Sequence, residues 1–208
     1  MRMSEVISET LKLSYDNIIV LSGPSHAEEV AQKSPTAIVA SCEDKDHARR
    51  IQKLFSNEYF RVYTSTDVVG VEFGGATKNI IALAAGICHG LGLGDNTMAA
   101  LVTRGLEEIT RLGIALGAER STFSGLSGLG DLVVTAFSPY SRNRQVGIRI
   151  GKGEKLNDII SSMEMIAGNP APVDLLASKL IERSGIKTVV IDGSDPKNVI
   201  NAVLHDKY

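Results

Sequence analysis

The sequence lacks any apolar run of the ~20 residues that a membrane-spanning helix needs, and no apolar stretch behind Met1-Arg2-Met3-Ser4-Glu5 suggests an export signal. It is therefore expected to be neither membrane-anchored nor exported. Cysteine is scarce: Cys42 and Cys88 stand far apart with no CxxC or Cys/His spacing, which excludes a structural zinc site and a disulfide framework and fits a reducing cytoplasm. His26, His47, His89 and His205 lack metal-ligand spacing and read as structural or surface residues. A formal net charge of -2 gives no basic patch for nucleic acid. No internal repeat or low-complexity tract is present. With 43% hydrophobic and 22% charged residues, the 208-residue chain has the composition of a globular protein with a real core.

The first third alternates. Met3–Leu13, Ser25–Gln32 and Asp46–Phe55 have helical spacing, whereas Asn17–Leu21, Thr36–Ser41 and Tyr59–Tyr63 are β-type runs. That alternation predicts a partly parallel α/β layer with each strand covered by helices on both faces. Past a boundary near Thr64–Asp67 the pattern changes to long Ala-, Leu- and Ile-rich stretches, Val68–Leu91 and Asn96–Leu116. Shorter helices are expected at Thr122–Gly125, Leu129–Thr135, Arg142–Ile150 and Leu156–Met163. Gly74, Gly75, Ala76, Ala82, Ala84, Ala85 and Gly86 would let another helix approach closely, although each helical glycine costs ~1 kcal/mol relative to alanine. From Ala171 an amphipathic stretch (173–183), a β run (187–191) and a helical stretch (196–204) suggest an α-β-α tail.

Lys78 and Asn79 lie within an otherwise apolar helix. A lysine withdrawn from water loses part of its preference for the charged form, which is how proteins turn lysine into a proton donor or acceptor. The alternative is a lysine at a helix edge with its head in solvent. Gly125-Leu126-Ser127-Gly128-Leu129-Gly130-Asp131 sets an acid after a glycine-rich turn, and Ser141-Arg142-Asn143-Arg144 follows. Glycine lets backbone approach a ligand and arginine grips phosphate bidentately, so Arg142 could bind a phosphorylated substrate while Asp131 pairs with Lys78. The plainer readings are Asp131 as a helix cap and Ser141–Arg144 as a solvated loop. Ser25, between a β run and a helix, reads first as an N-cap in a neighbourhood that suits an anion.

These runs resemble NAD(P)-dependent glycerol-3-phosphate dehydrogenase over about residues 3–163. The blocks beginning Ser22-Gly23-Pro24-Ser25-His26, Phe60-Arg61-Val62-Tyr63, Asp67-Val68-Val69-Gly70, Gly90-Leu91-Gly92, Thr103-Arg104-Gly105, Gly125-Leu126-Ser127 and Ser141-Arg142-Asn143 fall in the family's order and spacing. The resemblance implies reduction of dihydroxyacetone phosphate to sn-glycerol 3-phosphate with NADH or NADPH, for phospholipid synthesis. It implies catalytic Lys78, Asn79 and Asp131, with the lysine as proton donor. Gly23, Ser25, Ser141, Arg142 and Asn143 are implied as substrate contacts, and Ala27 and Arg142 as cofactor contacts, with no metal.

The family begins with a GxGxxG turn that cradles the pyrophosphate. No such turn precedes Met1, so the chain alone is expected to bind NAD or NADP poorly. Ala167 stands where the family has a cofactor-contacting acid. The stretch from Ala171 resembles the C-terminal segment of archaeal-type uridylate kinase without its phosphate loops, so the chain reads as a fusion of two truncated pieces. The expected fold is mainly α: a truncated Rossmann-type α/β remnant at 1–64, an all-α substrate domain at 65–168 and an α-β-α tail at 169–208. Glycerol 3-phosphate or dihydroxyacetone phosphate, and a second copy in a cytoplasmic homodimer, are the expected partners. The competing reading is a non-catalytic dimerising module.

Overall fold

The computed structural model describes residues 1–162. Residues 1–155 form one unit, and Leu156–Tyr208 is assigned to a second. Of the latter only α9 (Leu156–Ser161) lies within the described residues. The expected α-β-α tail lies outside them.

The first unit opens with α1 (Met3–Leu11), a 3-10 turn at Tyr15–Asn17, β1 (Val20–Ser22), α2 (Ala27–Ala31), β2 (Thr36–Ser41), α3 (Lys45–Phe55) and β3 (Phe60–Ser65). The strands make one sheet in the order β1-β2-β3. β1 is antiparallel to β2, and β3 is parallel to β2, with Thr36 opposite Phe60 and Ser41 opposite Ser65. A parallel pair needs a crossover, which α3 provides. Its apolar side places Ile51 against Ile38, Ala40 and Val62, and the Gln52 amide donates to the Val62 carbonyl at 2.7 Å.

Burial on both faces does not extend to β3. Only Val62 is buried there, and the Arg61 guanidinium lies over the exposed Tyr63 ring at 5.9 Å. The alternation of Arg61, Val62 and Tyr63 is that of a half-covered strand. β1 starts three residues later than its apolar run, because Asn17 closes the 3-10 turn.

The helical part follows as α4 (Val68–Gly90), α5 (Asp95–Ala115), α6 (Arg120–Phe123), a π-helical turn at Leu126–Gly130, α7 (Asp131–Phe137) and α8 (Arg142–Gly151). α4 is central. It packs on α5, α6, α7 and α8 and also touches β1 and β2, which is why its sequence is apolar nearly all round. By length and composition α4 could cross a membrane, which corrects the expectation drawn from run length. Its contacts account for its apolarity as those of a core helix. One core cluster joins Ala85, Met98, Val102, Leu132 and Ala136, and another joins Ile109, Ala118 and Phe123. In the second, Phe73 meets the Phe123 ring edge-on at 6.4 Å.

Two acid contacts anchor the N-terminal part of α4. Asp67 caps it, accepting from the Gly70 amide at 2.8 Å and, across the chain, from the Glu119 amide at 2.9 Å and the Thr122 hydroxyl at 2.5 Å. One turn on, the Glu72 carboxylate accepts from the Ser4 amide at 2.7 Å and the Ser4 hydroxyl at 2.5 Å, tying the N-terminus of α1 to α4.

α4 and α8 touch almost backbone to backbone. A β-carbon on Gly86 would strike the Arg144 carbonyl, one on Gly147 the Leu83 carbonyl, and one on Gly90 the Ile148 carbonyl. The closest glycine pairs, Gly86 with Gly147 and Gly90 with Gly151, advance together along both helices, so the two run parallel.

Candidate functional site

The side chain of Lys78 leaves α4 toward the N-terminus of α7. Its Nζ donates to both Asp131 carboxylate oxygens at 2.6 Å. Asp131 is almost wholly buried, with 4% of its side chain exposed, whereas Lys78 keeps 23%. A charge-assisted contact to both oxygens fixes the ammonium in direction as well as distance. Asp131 is the first residue of α7, one past the cap position held by Gly130; its carboxylate is turned to the lysine. The Thr135 hydroxyl, which sequence reasoning did not single out, donates to the Asp131 carbonyl at 2.5 Å and lies one turn along the same helix.

The π-helical turn before Asp131 sets its approach. The Ser127 carbonyl lies where a β-carbon on Gly74 would stand, and one on Gly128 would collide with the Phe123 backbone. The glycines at 74 and 128 therefore let α4 and the turn close on one another, bringing residues 53 apart in sequence into contact.

The Ser22–His26 loop covers the next part of the site. A β-carbon on Gly75 would be 3.0 Å from the Ser22 hydroxyl, which places the end of β1 beside α4 one turn before Lys78. Gly23 takes φ +138, and its missing β-carbon would be 3.0 Å from the Ile38 Cα, so both conformation and space demand glycine. The Ser25 hydroxyl donates to the Gly23 carbonyl at 3.0 Å. Ser25 is thus not the helix cap read from the sequence: α2 begins at Ala27, and His26 occupies the cap position. The His26 ring lies 6.0 Å from the Tyr140 ring, bringing the loop against the residue that precedes Ser141.

Ser141 is the N-cap of α8, buried, accepting from the Arg144 amide at 3.4 Å. Arg142 and Asn143 occupy the first turn, Arg142 exposed and Asn143 half-buried. Ser141–Arg144 is therefore a helix start rather than a solvated loop. Because α8 runs parallel to α4 with Gly147 beside Leu83 and Gly86, its first turn lies within about one 5.4 Å turn of the level of Lys78.

The structure thus gathers Lys78, Asp131, Gly23, Ser25, Ser141, Arg142 and Asn143 around one end of the α4–α7–α8 packing. Asn79 and Ala27 are exposed. Among the described residues no cluster of His, Cys, Asp or Glu could hold a metal. A shallow, largely apolar groove of about 800 Å³ lies along α7, lined by Glu29, Leu129, Val133, Phe137 and their neighbours. None of the candidate site residues lines it.

The sequence pattern of the NAD-dependent glycerol-3-phosphate dehydrogenase C-terminus matches residues 67–194, and that of the corresponding N-terminus matches residues 1–48. A glycerol-3-phosphate dehydrogenase [NAD(P)+] of Carboxydothermus hydrogenoformans is 60% identical over 166 residues, covering 80% of this chain and 49% of that relative. One from Lysinibacillus sphaericus is 47% identical over 212 residues, covering 98% of this chain and 62% of the relative. The crystal structure of the Coxiella burnetii glycerol-3-phosphate dehydrogenase is similar with a TM-score of 0.70 at 34% identity, over 90% of this chain and 56% of that one. The chain therefore spans about half to three-fifths of the length of these relatives. Both the family match and the Lysinibacillus alignment run into the segment likened to uridylate kinase, and the comparisons give that likeness no support.

Proposed function

The chain belongs to the NAD-dependent glycerol-3-phosphate dehydrogenase family, and from that premise we propose that it carries the substrate-binding and proton-transferring part of such an enzyme, acting on dihydroxyacetone phosphate and sn-glycerol 3-phosphate. The observation that carries this reading is the Lys78–Asp131 pair: an ammonium held at 2.6 Å from both oxygens of a buried carboxylate.

When bound, the dinucleotide of this NAD(P)-dependent family supplies the hydride for ketone reduction. Lys78 Nζ then places one N–H on the carbonyl oxygen of dihydroxyacetone phosphate and gives up a proton as that oxygen becomes an alkoxide, leaving the alcohol of glycerol 3-phosphate. In the reverse direction the neutral amine takes the proton back. Asp131 contacts the substrate and orients Nζ, and Asn79 stands beside it on α4. Ser141, Arg142 and Asn143, at the positive end of α8, hold the phosphate. Gly23 and Ser25 contact the substrate from the covering loop. Ala27 and Arg142 are exposed at the first turns of α2 and α8, which suits contact with one edge of a dinucleotide. Assembly as a cytoplasmic homodimer completes the reading.

Calorimetric titration with sn-glycerol 3-phosphate, with and without NADH, tests it, alongside NADH oxidation by dihydroxyacetone phosphate. Binding of the phosphorylated ligand that Arg142→Ala abolishes supports the substrate site. If the folded chain binds no such ligand, the site reading fails and the non-catalytic module takes its place.

A further inference from the structure

One side chain at this site has no role in the reading above. Arg144 lies on the α8 face that packs on α4, its carbonyl against Gly86, and its Nε is buried with no hydrogen-bond partner among the described residues. It also takes part in no ion pair among the described residues. Arg49, Arg104 and Arg120, by contrast, reach carboxylates from exposed surface positions. A guanidinium N–H withdrawn from water without an acceptor costs more than a typical hydrogen bond contributes.

The direction of the side chain follows from the helix. Side chains lean toward the N-terminus of their own helix. On α8 that direction is toward Ser141 and, because α4 runs parallel, toward the level of Lys78. The second orphaned nitrogen in this region, His26 Nε2, belongs to the covering loop, whose ring rests near Tyr140. Two segments that meet at the N-terminus of α8 thus each present a buried nitrogen without a partner.

We infer that Arg144 is a second arginine of the phosphate site, its Nε–H donating to a phosphate oxygen that Arg142 and the first turn of α8 approach from the solvent side. The inference rests on the substrate site proposed above and adds a residue to it. Arg142 is exposed and free to reach out. Arg144 is held by the α4–α8 contact and selects for a ligand that carries full negative charge, since a neutral polyol offers its buried Nε–H a weaker acceptor.

The test uses the whole chain. In ¹⁵N NMR of the arginine side chains, the Arg144 Nε–H signal is assigned by its loss in Arg144→Lys. The signal is expected to move on titration with sn-glycerol 3-phosphate and to stay in place with glycerol. By calorimetry, Arg144→Lys, which keeps the charge and stem but loses the planar fork, is expected to weaken glycerol 3-phosphate about tenfold or more, with the melting transition retained. An unmoved Nε–H together with unchanged affinity in Arg144→Lys, while the wild-type chain binds, overturns the inference and leaves the proposed site standing. Absence of binding by the wild-type chain overturns both. If Arg144→Lys does not fold, assignment by spin-system connectivity in the wild-type chain still decides the question from the Nε–H response.

Discussion

Gly86 of α4 and Gly147 of α8 face each other so closely that a β-carbon on either would come within 2.9 Å of the other's Cα. The contact fixes the parallel alignment of the two helices and with it the position of Ser141, Arg142 and Asn143 relative to Lys78. Packing here sets the geometry of the candidate site from outside it.

Gly86→Ala should therefore both destabilise the fold and displace the phosphate-binding turn. The added methyl meets the Arg144 carbonyl, a backbone atom that cannot swing aside, so a loss of about 1–3 kcal/mol is expected. Gly94→Ala is the steric control: nothing lies within 4 Å of its missing β-carbon, and only the cap preference at the start of α5 is lost. Urea unfolding of both variants checks this. Equal stability of Gly86→Ala and the wild-type chain would mean that α8 does not sit where described.

The Lys78–Asp131 pair should show strong coupling in a double-mutant cycle. Lys78→Met leaves an almost wholly buried carboxylate without its counter-charge, a change that costs ~3–5 kcal/mol when both partners are buried. With Lys78 still 23% exposed, the lower end of that range is expected. Lys78→Met with Asp131→Leu should recover most of the loss, because no unpaired charge remains. Additive losses in the double variant would show that the two side chains do not depend on each other.

The features that could be read before the structure are those carried by composition over many residues. The long apolar runs became α4 and α5, and the lysine lodged in the first of them meets Asp131, one of the outcomes that its isolation in an apolar helix left open. Legibility failed where a single local contact decided the outcome. Ser25 stands where a cap would, yet its hydroxyl turns back to Gly23 and the helix starts two residues later. Leu129 and Gly130 continue the apolar pattern of α7, but the glycines at 125, 128 and 130 favour a π-helical turn that delays α7 to Asp131. Asp67 stands where a local cap of α4 is expected, but its bonds to Glu119 and Thr122, like those of Glu72 to Ser4, join residues far along the chain and could not be read from the sequence. Arg144 was visible only as part of a polar cluster; its buried Nε is a property of the α4–α8 packing.

Asp67→Ala should be among the more damaging substitutions outside the candidate site. It removes the acceptor of three donors at once, the amides of Gly70 and Glu119 and the hydroxyl of Thr122. Hydrogen bonds to a charged group contribute ~1.5–3 kcal/mol each but share one desolvated carboxylate, so a total loss of about 3 kcal/mol is expected. Thr122→Val should cost about a third of that. Chemical denaturation of the pair gives the ratio, and an Asp67→Ala chain as stable as Thr122→Val would refute the shared role.

Cys42 should resist alkylation in the native chain. Its side chain is fully buried with Sγ donating to the Asp16 carbonyl at 3.1 Å, and burial is the first cause that pushes its thiol above the ordinary value. The thiolate is the reacting species, so iodoacetamide at neutral pH should modify Cys42 only once the chain is unfolded. Peptide mass spectrometry before and after denaturation checks this, and native-state labelling of Cys42 would show that β2 and the 3-10 turn open readily.

The start of α3 supplies a pH dependence whose sign can be worked out. The Asp44 carboxylate accepts from the Asp46 amide at 2.7 Å and the His47 amide at 3.3 Å, and these bonds hold it below its ordinary value of 3.8. A carboxyl that binds its proton less readily folded than unfolded stabilises the fold in its charged form. Its contribution is fully present above the ordinary carboxylate range and fades as pH falls through the lowered folded value. Asparagine caps nearly as well but cannot titrate in this range, so Asp44→Asn removes the pH-dependent part while keeping the helix start. Glu5, lowered chiefly by the Arg2 amide, and Glu154, lowered chiefly by the Arg149 side chain, act in the same direction, so the wild-type curve alone does not isolate Asp44. The quantity to measure is the difference in unfolding midpoint between the wild-type chain and Asp44→Asn at a series of pH values from about 6 down to about 2. It should favour the wild type by a constant margin at the upper end and shrink toward the acid end. A difference that stays flat throughout would mean that the caps formed by Asp44 do not distinguish its charged form from its neutral one.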